Sequence, residues 1–233
     1  MPLGAVPYLP VFRTLSHNTL APPLPLPAMT DALQALRRAT AERHVQLDSG
    51  LPIARADASL ADYLEHVHAL AAWLQALWPA LQTLQAHAPG FGFAPAARLS
   101  ALREDLAHPA EQATLTWPRP SATTAQCLEQ VLARHPGQTD AVRWGLAYVV
   151  EGSQLGGQVL HRGLAPRLAP HPLRYLQGDG AGTGARWKAF MALLRAHVAS
   201  PPAIAAACDG ALAAFQGLQA HFDTMDATQG TPA

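Results

Sequence analysis

The sequence predicts an all-α protein built as a single domain, and three observations carry that expectation. Alanine and leucine dominate a composition that is 49% hydrophobic over 233 residues, which favours residues of high helix propensity. Apolar positions recur at steps of three and four along several long segments, the pattern of helices with one buried face. No segment alternates apolar and polar residues over the length of a convincing strand, and no internal repeat is visible. A chain of this size can bury one sizeable core.

Residues 1–28 precede that pattern. Proline is too frequent between Val6 and Pro27 for a helix or an interior strand. Arg13 is the first basic residue, so the basic n-region of a secretory signal is missing. The segment reads as a disordered extension, with Met29 as an alternative start. Thr30 or Asp31 can then cap a helix reaching about Leu47, whose stripe is Leu33, Leu36, Thr40, His44 and Leu47. Asp48-Ser49-Gly50-Leu51-Pro52 ends it.

A second helix starts after Ser59, with Asp62 at its third position, and reaches Pro79 or beyond. Pro89-Gly90-Phe91-Gly92 is a break. Arg98 to Ala107 is a short helix, followed by a loop to Pro120 and a helix from Thr123 to Ala133. Asp140 to about Leu164 forms a helix containing several glycines. An irregular connection over 165–182 leads to two last helices, near Gly184–Val198 and Pro202–Met225. The expected domain is 29–226, with a flexible tail over 227–233.

The charges exclude some functions. Sixteen basic and 16 acidic residues give a formal net charge of zero, and they are interspersed, so no electrostatic grip on nucleic acid or anionic membrane is expected. No apolar run approaches the roughly 20 residues of a membrane-spanning helix. Cys127 and Cys208 stand in no metal-ligand or redox spacing. They read as thiols of a cytoplasmic protein, with a single disulfide as the alternative.

Two segments carry the chemistry. His44 lies on the apolar face of the first helix, where a histidine is ordinarily a hydrogen-bonded core residue and less often a ligand. Arg37, seven residues earlier, lies on nearly the same face about 10 Å away along the axis, suited to a carboxylate at a ligand's rim or to a solvated flank. Gly152, Gly156 and Gly157 each cost about 1 kcal/mol against alanine in helix propensity. Either close helix packing or a flat ligand against bare backbone would explain their presence.

Leu36-Arg37-x-x-Thr40-x-x-x-His44-x-x-Leu47-Asp48, Tyr148-Val149-Val150-Glu151-Gly152-Ser153-x-Leu155-Gly156-Gly157 and Arg186-Trp187-Lys188-Ala189-Phe190 occur in that order. Together they resemble the biliverdin-producing haem oxygenases, bacterial branch, over most of residues 31–225. The resemblance implies a helical bundle holding haem between a proximal helix and a kinked distal helix. It makes His44 the iron ligand and places Gly152, Gly156 and Gly157 on the distal helix. Arg37 would meet a propionate, with Arg186 or Lys188 as a second contact and Tyr148 near the haem edge. Many members carry a distal aspartate; here Ser153 stands in its place, as in some bacterial members, so protons must pass through Ser153, backbone, water or an acidic residue elsewhere.

The implied activity opens haem with O2 and external electrons to biliverdin, CO and Fe2+, haem being both substrate and cofactor. No nucleotide fingerprint is present, because Gly178-Asp179-Gly180-Ala181-Gly182 follows no strand. A reductase or ferredoxin is therefore the implied donor, and a bilin-accepting photoreceptor a possible recipient. A haem carrier that does not degrade its cargo, and a haem-free helical protein of the same fold, are the alternatives. His66, His68, His87, His108, His135 and His171 read as surface or structural residues. Trp73, Trp78, Trp144 and Trp187 belong to the core or a pocket wall.

Overall fold

The computed structural model describes residues 31–93, 95–108 and 115–229. The expected extension over 1–28, the alternative start at Met29 and the last four residues of the expected tail lie outside them. Among the described residues there is no strand, and the all-α expectation holds. The helices are α1 (Ala32–Gly50), α2 (Leu60–His87), α3 (Pro95–Leu106), α4 (Ala122–Arg134), α5 (Thr139–Leu164), α6 (Arg174–Gln177), α7 (Thr183–His197) and α8 (Pro201–Gln229). Short 3-10 turns occupy Pro52–Ala54 and Gly180–Gly182.

The helix starts follow from local chemistry. The Asp31 carboxylate accepts from the Leu33 N–H at 3.3 Å, and also pairs with Arg195 of α7 at 3.0 Å. Ser59 and Asp62 form a reciprocal capping box, with bonds of 3.1 and 2.7 Å, satisfying two donors the helix leaves orphaned. Ser121 caps α4 through the Thr124 N–H. Pro79 does not end α2, which continues to His87. The proline is exposed, so the carbonyl it leaves unpaired can reach water. α8 likewise continues past Met225, to Gln229.

α2 is the central helix, buried along most of its length. α8 makes its most extensive contacts with α5, then with α4 and α1. Two glycines permit the α5–α8 approach. A Cβ on Gly145 would lie 2.8 Å from the Ala211 nitrogen, and one on Gly210 would lie 3.0 Å from the Val142 carbonyl carbon. Phe91, Phe93, Trp144, Trp187 and Phe190 interlock at one end, with neighbouring ring centroids 5.0–5.6 Å apart in the pairs Phe91–Phe93, Phe93–Trp144 and Trp187–Phe190.

The connection over 165–182 is not wholly irregular, because it contains α6. Leu173 enters α6 with φ 50°, and Gly178 leaves it with φ 51°, a left-handed conformation that glycine adopts at least cost. The fully buried Asp105 of α3 holds this segment down. Its carboxylate accepts from the Tyr63 hydroxyl at 2.6 Å and from the N–H groups of Arg174 and Tyr175 at 2.8 and 2.9 Å. His171, also buried, donates from Nε2 to the Asp105 carbonyl and accepts at Nδ1 from Leu173 N–H.

Candidate active site

A largely apolar cleft enclosing about 990 Å³, counting its open mouth, lies between α1, α2, α5, α6 and α8. His44 and Leu47 contribute from α1, His66, Leu70 and Trp73 from α2, and Phe215 and Leu218 from α8. The α5 wall is Val149, Gly152, Ser153, Gly156, Gly157 and Leu160. Gly152, Gly156 and Leu160 are spaced by four, and Ser153 and Gly157 lie beside them, as one helix face requires.

His44 is where the α1 stripe meets this space. Leu33, Leu36, Thr40 and Leu47 are buried in the core, whereas His44 is half-buried and makes an edge contact with Phe215 at 4.7 Å between centroids. Burial lowers its pKa, which favours the neutral imidazole near pH 7.

The three glycines differ. A Cβ on Gly152 would touch the Trp187 ring at 3.6 Å, and one on Gly157 would touch Leu176 at 3.6 Å, both ordinary contacts. A Cβ on Gly156 would meet nothing within 4 Å and would project into the cleft. Close helix packing therefore does not account for Gly156. α5 is helical without a break through all three glycines.

Ser153 lines the cleft, but its hydroxyl donates to the Val150 carbonyl at 2.9 Å. Glu151 is 3% exposed and points away from the cleft, towards α3 and α7. Arg98 holds it at 2.7 Å, and Arg186 holds it at 2.9 and 3.0 Å through two nitrogens.

His44, Gly152, Ser153, Gly156 and Gly157 thus come together. Four other residues singled out in the sequence do not line the cleft. Arg186 is committed to Glu151, to the Gly92 carbonyl and to Asp179. Tyr148 is buried against Trp187 and beside the Thr40 hydroxyl, and burial raises its pKa. Arg37 is exposed two turns from His44, its charge near Tyr148 and Asp31. Lys188 is exposed on α7.

Two polar cleft residues were not among the expected site residues: His66, read from sequence as surface or structural, and Tyr175. His66 is 8% exposed, stacks on Phe222 at 5.4 Å, and has a buried Nδ1 without a hydrogen-bond partner. Burial lowers its pKa to about 4. Its place between Tyr63 and Leu70, three and four residues away, was a signal that it shares their buried face. Tyr175 belongs to α6, a helix of four residues, too short to leave any periodicity.

The "Heme oxygenase" family model matches residues 30–224. The protein named "Heme oxygenase" from Xanthomonas campestris pv. campestris (strain 8004) is 43% identical over 103 residues, which cover 42% of this chain and 57% of that relative. The match therefore spans little more than half of the relative's length. No solved structure matches at a significant level. Among the described residues no helix is long and apolar enough to cross a membrane. A family match running from the first turn of α1 to the last part of α8 takes in both walls of the cleft: this chain belongs to the haem oxygenase family.

Proposed function

We propose that this chain is a haem oxygenase, opening haem with O2 and external electrons to biliverdin, CO and Fe2+. The observation that carries this reading is Gly156, a helical position stripped of its side chain in the same apolar cleft as a half-buried neutral histidine. A planar apolar ligand with a metal at its centre fits that donor set. Bound haem would supply the iron at which oxygen is activated, and is itself the substrate.

The protein's residues then have distinct tasks. His44 would hold the iron from α1 through a neutral imidazole. Gly156, and beside it Gly152, would let the bound group lie close to the α5 backbone. The cleft's apolar lining limits bulk water, which strengthens each remaining polar contact. Ser153 already donates to Val150, so towards the cleft its oxygen acts as an acceptor that holds a proton donor in place. Arg37 and Lys188, exposed on α1 and α7 outside the cleft lining, would be the cations left for the propionates, whereas Arg186 is neutralised by Glu151.

Residues 29–226 would act as one functional unit, with electrons from a separate reductase or ferredoxin. Free Cys127 and Cys208 suit a cytoplasmic setting, and biliverdin could pass to a bilin-accepting photoreceptor. A second reading is a haem carrier, favoured by one observation: among the described residues no carboxylate lines the cleft.

The test is an aerobic absorption time course with one equivalent of hemin, a reductant and catalase. Decay of the Soret band with growth of a broad red biliverdin band is the expected result. A persistent Soret band selects the carrier, and no bound spectrum at all defeats both readings. His44→Ala should lose the native ferric haem spectrum; an unchanged spectrum would remove His44 as the ligand.

A further inference from the structure

We propose that Tyr175 is the proton donor of the cleft, and that a second cleft, which it also lines, is the route by which its proton is replaced. This rests on the haem oxygenase reading and supplies what Ser153, in the place of a carboxylate, lacks. Tyr175 lines the main cleft together with Gly152, Ser153 and Gly156. It is 5% exposed, and its hydroxyl is buried without a partner at hydrogen-bonding geometry. The Ser153 and Gln154 side chains nonetheless lie close enough to lower its proton affinity. A buried hydroxyl left in this state beside a ligand cleft is poised to bond to what occupies the cleft.

Tyr175 also lines a separate cleft of about 390 Å³, counting its open mouth, together with Ala97, Arg98, Gln154, Asp179 and Arg186 among others. Among the described residues Tyr175 alone lines both spaces. Arg98 there has its own orphan, a buried Nη1 without a partner, while its other terminal nitrogen is fixed on Glu151. Buried donors without a partner on Tyr175 and Arg98 mark sites where water belongs.

The ring is held in position by its backbone, because the Tyr175 N–H donates to Asp105, which also takes the Tyr63 hydroxyl. The charged and titratable groups facing it are Arg98 and Asp105 from α3, Glu151 from α5 and Tyr63 from α2, with Asp179 and Arg186 around the side cleft. Burial raises the Tyr175 pKa, so near neutral pH the group retains its proton, and the Arg98 charge favours the anion left after donation. In each cycle Tyr175 gives its hydroxyl proton into the main cleft and takes one from water in the side cleft. That water is reprotonated from solvent, so no electron moves and the charge of the site is restored.

Two variants test the idea. Tyr175→Phe keeps the ring and the Asp105 anchor, so haem should bind with a dissociation constant within about twofold of the parent. Its single-turnover rate should fall about a hundredfold or more, the usual scale for a lost acid. Fluoride affinity of the ferric complex, which reads a hydrogen-bond donor in the cleft without any turnover, should fall about tenfold, the usual scale for a charged hydrogen bond. Ala97→Trp plugs the side cleft from the exposed surface of α3, and should slow turnover and enlarge its solvent isotope effect while leaving fluoride affinity unchanged. Turnover and fluoride affinity within twofold of the parent in Tyr175→Phe would overturn the assignment. If Tyr175→Phe does not fold, Ala97→Trp alone decides, and parental turnover in that variant would overturn the relay. Failure of the parent protein to bind or degrade hemin would instead defeat the haem oxygenase reading itself.

Discussion

Gly145 and Gly156 lie three turns apart on one helix, and the same missing side chain serves opposite ends. At Gly145 the space is filled: the α8 backbone at Ala207 and Ala211 occupies the place of a Cβ. At Gly156 the space is open, with nothing within 4 Å and a cleft in front. The first glycine contributes to stability by letting two long helices approach. The second loses about 1 kcal/mol of helix propensity with no packing in return. The cost is borne where a ligand needs the backbone.

The strongest way to break this comparison is Gly145→Ala. Its Cβ would be forced onto the α8 main chain, which has no flexible end to move aside. About 3 kcal/mol of stability should be lost, read as a lower urea midpoint with an unchanged slope. A loss below 0.5 kcal/mol would show that α5 and α8 can part at little cost.

The cleft end also carries a pH dependence. Unfolded, His66 takes up a proton near its ordinary 6.5, whereas folded it does so at about 4. Between those values the unfolded state binds more protons, so stability falls as pH falls, by on the order of 3 kcal/mol across the window. Burial lowers the pKa of His44, His68 and His221 as well, adding slope of the same sign. His66→Gln should flatten the decline between pH 7 and 4.5. An equally steep curve would assign the slope elsewhere.

Gly156→Leu sharpens the contrast at the ligand. It should fold as well as the parent yet bind hemin about tenfold or more weakly, because the side chain enters the space the ligand needs. Titration at the Soret band checks this, and parental affinity would refute the backbone-contact reading. The smallest effect is expected of Gly156→Ala without haem, a gain of about 0.5–1 kcal/mol from helix propensity alone. The same substitution would then stabilise at one glycine and destabilise at the other. A loss at Gly156 would end the contrast.

The outline of the fold was legible because helix boundaries are local. Ser59 with Asp62, and Asp31 before a regular stripe, specify where α2 and α1 begin whatever packs on them. The same stripe put His44 on an inward face, and four of its five positions are buried as expected. Propensity cost singled out Gly152, Gly156 and Gly157, and the family resemblance added Ser153; that all four line one cleft came from the structure. Spacing did not reveal that Arg98 and Arg186, 53 and 35 residues from Glu151, converge on that carboxylate. For the same reason the adjacent basic residues Arg186 and Lys188 looked interchangeable as propionate contacts.

By itself, then, the sequence determined the helices, the inward direction of His44 and the bare face of α5. Each follows from hydrogen bonding and periodicity within a few turns of chain. Tertiary structure alone decided that Gly145 is filled and Gly156 open, that Glu151 turns from the cleft, and that Tyr175 lines two clefts. Those outcomes depend on how whole helices dock, and a period of 3.6 residues says which side of a helix is buried but not what lies against it.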